Sequence, residues 1–254
     1  MVVVRQLVFV AGLVAVVATF GSAVRTVVIP RGIPARLSRF VFFQMRRIFR
    51  LRARPKHTYE RRDRIMALYG PVSLLALLIT WLTLVLSGYA GIYWGMGGRS
   101  VREAFALSGS SVLTLGFERP ADLPTTVAVF SEAAVGLILL ALLITYLPSI
   151  YGVFSRRENL VAAMEVRAGS PPTGVEILQR SWRVDHLEEL GGLWERAEAW
   201  FLELQETHTS FPAVVFFRSP LPEHSWVISG GAVLDAASLL LSAVDRPPDA
   251  RAAY

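Results

Sequence analysis

Cysteine is absent from this chain of 254 residues, which excludes disulfides, thiolate metal sites and cysteine nucleophiles. Lysine is nearly absent. Lys56 stands alone in Arg-Pro-Lys-His-Thr with no glycine loop beside it, so a Walker-type phosphate cradle is ruled out. The histidines, His57, His186, His208 and His224, share no ligand spacing, and a metal site is not expected from them. No G-x-S-x-G elbow is present, and Ser110-Ser111 has no base near it in sequence. The glycines around Gly95 follow a long apolar run rather than a strand, which argues against a dinucleotide loop. Neither an enzyme nor a resident cofactor is expected.

What the chain has in quantity is apolar sequence. Hydrophobic residues make up 53% of it, with mean hydropathy +0.46, and they gather in runs long enough to cross a bilayer. A multi-pass protein of the cell membrane is therefore expected before any soluble fold. The net charge of +6 would suit nucleic acid. Here the charge sits beside apolar spans, where it orients a membrane protein instead, so nucleic acid is not an expected partner.

Residues 1–29 hold the first apolar run, interrupted near its start by Arg5 and Gln6. It reads as a retained transmembrane helix; the alternative is a secretory signal cut near Gly21-Ser22-Ala23. Residues 30–64 are strongly basic, with only Glu60 and Asp63 against Arg31, Arg36, Arg39, Arg46, Arg50, Lys56 and their neighbours. Leu37, Phe40, Val41, Ile48 and Phe49 recur at helical spacing, the arginines take another face, and Pro34 suits a first helical position. This predicts a cationic amphipathic helix on the inner leaflet, its partner anionic membrane lipid. The arginine spacing lapses after Arg39, which argues against a voltage sensor. The interleaved phenylalanines follow a helical face, not a stacking platform.

Residues 65–155 form the expected pore domain. Its first span, 71–96, ends in Tyr89, Tyr93 and Trp94, which read as an aromatic belt. Gly95, Gly97 and Gly98 then turn the chain. The last span, 124–154, opens at Pro124 and closes on Tyr146, Tyr151 and Phe154, followed by Arg156 and Arg157. The asymmetry of basic residues places the N-terminus outside and the C-terminus in the cytoplasm.

Between those spans lies 100–123, too short and too broken to cross. Ser100 and Glu103 have capping-box spacing. A helix of about 11 residues from Val101 would be roughly 16 Å long, half the hydrocarbon thickness. It is followed by Thr114-Leu115-Gly116-Phe117-Glu118, which does not continue it. Non-helical backbone at membrane depth survives only where protein buries it or where it lines a wet cavity. A re-entrant loop is the expectation.

From Glu158 the composition turns soluble, and residues 156–246 read as a cytosolic helical domain. Pro171-Pro172 marks a linker. Leu187, Leu190, Trp194, Ala197, Phe201 and Leu204 form a helical seam, weakened at Gly191-Gly192. The run from Trp226 to Val244 approaches spanning length, but Asp235 at its middle costs about 2.5–3.5 kcal/mol on insertion scales. Ser229, Asp235, Ser238 and Ser242 are expected on one polar face of a cytosolic helix. Residues 247–254 read as a tail, and nothing in this domain names a cytosolic ligand.

Outer helix, half-membrane helix, non-helical strand and inner helix together resemble the two-transmembrane, pore-loop potassium-channel family. The resemblance covers about a third of the chain. That family's filter reads Thr-Val-Gly-Tyr-Gly-Asp; this chain has Thr114-Leu115-Gly116-Phe117-Glu118-Arg119. The resemblance implies an all-α homotetramer conducting monovalent cations, with Thr114, Leu115, Gly116, Phe117 and Glu118 as the filter. Potassium is the expected ion. Glu118 stands where the family has its second filter glycine, a position that favours left-handed backbone. It either forms an acidic ring, or pairs with Arg119, or is solvated outside. Gly136 resembles the family's hinge glycine and Pro148 would kink the inner helix, making both gate candidates; close packing is the alternative for Gly136. Glu132 is an intramembrane acid, expected to bond the half-helix near Ser108, Ser110 or Ser111. The competing function is a non-conducting membrane scaffold or sensor that keeps this architecture and acts through its cytosolic domain.

Overall fold

The structure is a computed structural model. It describes residues 1–29, 35–53, 58–120, 122–219, 221, 224–244 and 252. Arg31, Pro34, Lys56, His57 and most of the 247–254 tail lie outside the described residues. Among the described residues every regular element is helical. In order these are α1 (Val2–Val27), α2 (Arg36–Arg52), α3 (Tyr59–Ala67), α4 (Tyr69–Met96), α5 (Val101–Val112), α6 (Leu123–Ala168), α7 (Gly174–Arg183), α8 (Gly191–Ser210) and α9 (Trp226–Ala243). Short 3-10 turns cover Leu187–Leu190 and Pro212–Phe216. Four stretches are long and apolar enough to cross a membrane: Val2–Val27, Glu60–Met96, Leu123–Ala168 and Trp226–Ala243. The chain is accordingly a helical membrane protein.

The chain forms two compact units, Met1–Ile48 with Pro71–Pro148, and Phe49–Gly70 with Ser149–Tyr254. In the first, α1 lies against α4 through glycine. A Cβ on Gly12 would stand 2.4 Å from the Gly88 carbonyl oxygen, and one on Gly95 would stand 2.6 Å from the Phe9 Cβ. Backbones come this close only where side chains are missing, the packing that small residues provide in membranes. Gly95 thus serves a helix contact; the turn after α4 is made by Gly97 and Gly98, at φ 93° and 75°. Ser22 and Ala23 are buried in the same unit.

Helix α2 forms, but its apolar residues divide between two sides. Ser38, Val41 and Phe42 are buried, and the Ser38 hydroxyl lies 2.7 Å from that of Thr26. Phe40, Phe43 and Ile48 are exposed, next to exposed Arg36, Arg39 and Arg46. The aromatic belt expected at the end of α4 is not formed by its tyrosines. Tyr89 and Tyr93 are buried, because polar partners inside the unit take their hydroxyls. Trp94 is partly exposed, with the Arg5 guanidinium 5.6 Å from its ring. Of the residues expected at the inner end of α6, Tyr146 is buried and Tyr151 exposed.

Helix α6 does not stop near 154. It runs on to Ala168, with Pro148 inside it, since no strong breaker follows until Gly169, at φ 76°. Arg157, which follows the expected span, is buried in the second unit. Its guanidinium donates to the Phe217 carbonyl at 2.8 Å and the Val214 carbonyl at 3.3 Å, and pairs with Glu158 at 2.9 Å. The Trp200 indole donates to the Arg157 carbonyl at 3.0 Å. The core of this unit is built from Ile177 on α7, Leu193, Trp194 and Ala197 on α8, and Ala232, Val233 and Ala236 on α9. The Leu187–Leu204 seam is met in part: Leu193 and Trp200 are buried beside it, while Phe201 and Leu204 are half-buried. On α9, Asp235, Ser238 and Ser242 are exposed together as expected. Ser229 is not with them; it is fully buried on the face of Ala232 and Ala236, roughly opposite on a helix of 3.6 residues per turn.

Candidate functional site

The half-length helix α5 is built as its ends dictate. Ser100 accepts from the Glu103 amide at 3.3 Å, and Glu103 accepts from the Ser100 amide at 2.7 Å, a complete capping box. The small residues of Ser108-Gly109-Ser110-Ser111 let α5 sit closely between α4 and α6. Ser108, Ser110 and Ser111 are all buried. Ser111 donates to the Val129 carbonyl on α6 at 2.9 Å.

Glu132 on α6 holds this arrangement together and is fully buried. The Tyr93 hydroxyl on α4 donates to its Oε2 at 2.7 Å. The Ser108 hydroxyl on α5 lies 2.5 Å from its Oε1 and 2.8 Å from the Leu86 carbonyl on α4. One carboxyl group therefore ties three helices at a single level. A buried carboxyl without partners would be strongly unfavourable; here both oxygens have one. A turn further on, a Cβ at Gly136 would stand 2.6 Å from the Val112 carbonyl oxygen. The C-terminal end of α5 thus rests on bare backbone of α6. The start of α6 is fixed by Asp122, which accepts from the Thr125 amide at 2.9 Å. That bond and a second from the Thr125 hydroxyl hold the Asp122 carboxyl below its ordinary value, with Arg99 adding to the effect. Asp122 has the residue type of an N-cap one position before the helix, a local signal beside the more conspicuous Pro124.

The non-helical strand begins where α5 ends. The Leu115 and Gly116 amides both donate to the Ser110 carbonyl, at 2.8 and 3.3 Å. The Glu118 amide donates to the Ser110 hydroxyl at 3.1 Å. Residues 114–118 therefore reverse direction, bringing Glu118 back level with Ser110. Left-handed backbone falls on Thr114 and Gly116, at φ 55° and 70°, not on Glu118. Among the described residues only Thr114 and Asp185 adopt it without being glycine. For a β-branched residue this conformation costs about 1–2 kcal/mol, and strain of this kind gathers at functional sites.

Leu115 and Phe117 are exposed, at 61% and 62%, and Thr114, Gly116 and Glu118 are exposed as well. The Glu118 carboxylate forms no ion pair with Arg119 or any other described residue. Pro148 lies on α6 away from this strand in sequence, so the two gate candidates differ: Gly136 touches the half-helix and Pro148 does not share that contact. Sequence reasoning placed Glu132 against the serines but missed Tyr93. The signal was available in the one acidic residue of the 124–154 span and in Tyr89 and Tyr93 toward the end of the 71–96 span.

No three His, Asp or Glu side chains gather into a metal-binding group among the described residues. His186 pairs with Glu189 at 2.7 Å and His224 with Glu165 at 3.0 Å. His208 Nδ1 lies 2.8 Å from the Leu204 carbonyl. Comparison with family models, curated proteins and solved structures finds no match to this chain.

Proposed function

We propose that the chain is one subunit of a homotetrameric cation channel of potassium-channel-like architecture, conducting passively through four copies of the 114–118 strand. The observation that carries this reading is the reversal at Ser110. A capped half-helix ends at Val112, and the strand after it turns back along that helix with left-handed backbone at Thr114 and Gly116. If α5 enters from outside, its carboxyl end aims the negative end of its dipole at the bilayer centre, which favours a cation there. Main-chain oxygens and the Thr114 hydroxyl then line the inner part of the path, and four unpaired Glu118 carboxylates form its acidic mouth. In this reading the N-terminus is outside and the C-terminus cytoplasmic. The exposed Phe40, Phe43 and Ile48 of α2 lie in the inner leaflet, with Arg36, Arg39 and Arg46 on anionic headgroups. Gly136 and Pro148 are the positions at which the inner helix gates.

A second reading is kept by one observation. Glu118 replaces the glycine that a potassium filter uses, which favours a scaffold that retains the architecture without conducting. Purified protein in planar bilayers under opposed potassium and sodium gradients separates the two. Steady cation current, reduced by Glu118→Gln and abolished by Gly116→Ala, supports conduction. Silence at all voltages, with the protein folded and inserted, assigns it to the scaffold class.

A further inference from the structure

The second unit holds a cleft of about 620 Å³ between the end of α6, α7, the 187–190 turn and the start of α8, a size typical of small-molecule sites. Buried Ile177, Leu190 and Leu193 close it from beneath, and the apolar surface it offers comes from exposed Val166 and Val184. Its rim is cationic, with Arg167 from α6, Arg180 from α7 and Arg196 from α8. These three arginines do not have equal standing. Arg180 is engaged, its Nε 2.7 Å from the Glu176 carboxylate and its Nη1 3.5 Å from the Val166 carbonyl, which caps the end of α6. Arg167 and Arg196 have no hydrogen-bond or ion-pair partner among the described residues. The one carboxylate on the rim, Glu189, is held by His186 at 2.7 Å.

Two uncompensated guanidiniums on one cleft repel each other, and a bound anion relieves that repulsion. Guanidinium forks match phosphate and carboxylate geometry. Exposed Val166 and Val184 add a second requirement, because an inorganic anion would leave them wet. We infer that this cleft binds a small organic anion, with its phosphate or carboxylate head on Arg167 and Arg196 and its apolar body against Val166 and Val184. The inference is independent of conduction and holds for channel and scaffold alike.

Calorimetric titration of the full-length protein in nanodiscs tests it, with 2-naphthyl phosphate, 2-naphthoate, 2-naphthol and inorganic phosphate as probes. At least one of the two naphthyl anions is expected to saturate one site per chain, and which one binds tighter identifies the preferred head. Arg167→Gln and Arg196→Gln are each expected to weaken that binding about tenfold, a loss typical of one charge-assisted contact. Both variants should keep the thermal unfolding midpoint, since neither side chain has a partner to lose. Arg183→Gln, on the same helix as Arg180 but outside the cleft, should leave affinity unchanged. Failure of both naphthyl anions to saturate overturns the inference. So does binding of inorganic phosphate or 2-naphthol as tight as that of the anions, or an Arg183→Gln loss equal to that of Arg196→Gln.

Discussion

Tyr93 and Glu132, 39 residues apart, share a hydrogen bond of 2.7 Å in the interior of the first unit. The bond joins α4 to α6, and Ser108 brings the short helix α5 to the same carboxyl group. The shape of the 100–118 segment therefore depends on one acid that lies outside that segment.

Glu132→Ala leaves the Tyr93 hydroxyl without its acceptor and removes a partner from Ser108. A buried donor left unsatisfied costs about 1–3 kcal/mol. Unfolding of the protein in mixed micelles should show a loss of that order. Glu132→Gln keeps a carbonyl oxygen for Tyr93 and should lose less. Equal losses for the two variants would show that the contact with Tyr93 does not hold the helices.

The glycine contacts give a paired test within single helices. A Cβ at Gly136 meets the Val112 carbonyl at 2.6 Å, whereas at Gly152 the nearest atom is an Arg156 side-chain nitrogen at 3.7 Å. Overpacking costs typically about 1–3 kcal/mol. Gly136→Ala is expected to lower the unfolding midpoint and Gly152→Ala to leave it in place. In α1 the same contrast sets Gly12→Ala, 2.4 Å from the Gly88 oxygen, against Gly21→Ala, with no atom within 4 Å. A truncation that removes α1 should likewise destabilise the first unit.

Arg157 is 3% exposed and donates to two carbonyls of the 214–217 segment. Its guanidinium also lies 5.1 Å from the Phe154 ring and 5.5 Å from the Trp226 ring. Arg157→Ala leaves Glu158 and those carbonyls uncompensated, for a loss of about 3–5 kcal/mol. Arg156→Ala, at a more exposed pair with Glu203, should cost about 0–1 kcal/mol. Thermal unfolding followed by tryptophan fluorescence distinguishes them.

Acid should loosen the start of α5. The Ser100 amide, with help from its hydroxyl and from Arg99, holds the Glu103 carboxyl below its ordinary value of 4.5. A carboxyl depressed in the folded state contributes stability above its unfolded pKa and loses it as pH falls through the folded one. The protection factors of the Glu103 and Ala104 amides, taken against intrinsic exchange at each pH, are expected to fall below about pH 4.5, and Ser100→Ala to cost about 1 kcal/mol at neutral pH. Protection factors that stay level through this range would exclude the capping box as a stabilising feature.

Much of the chain is legible without coordinates. The spanning runs, the capping box and the break after Val112 are local properties, set by hydropathy over a few turns and by donors and acceptors three residues apart. The placement of Glu132 against Ser108 was also within reach, because a lone acid in the apolar 124–154 span must find a polar partner and the serines are the nearest supply. Which side of α4 Tyr93 faces was not. Helical periodicity gives a face but not its neighbour, and an aromatic near a span's end reads equally as interfacial or inward.

Sequence alone determined that this is a helical membrane protein with a short, capped helix between two long ones, since length, polarity and end-caps depend on neighbours along the chain. Tertiary structure alone decided that Tyr93 and Ser108 meet one carboxyl group, that Gly12 lies on Gly88, that Arg157 is buried and that Arg167 and Arg196 share a cleft. Those contacts join residues on different helices, and the packing of side chains between helices, not any local pattern, selects them.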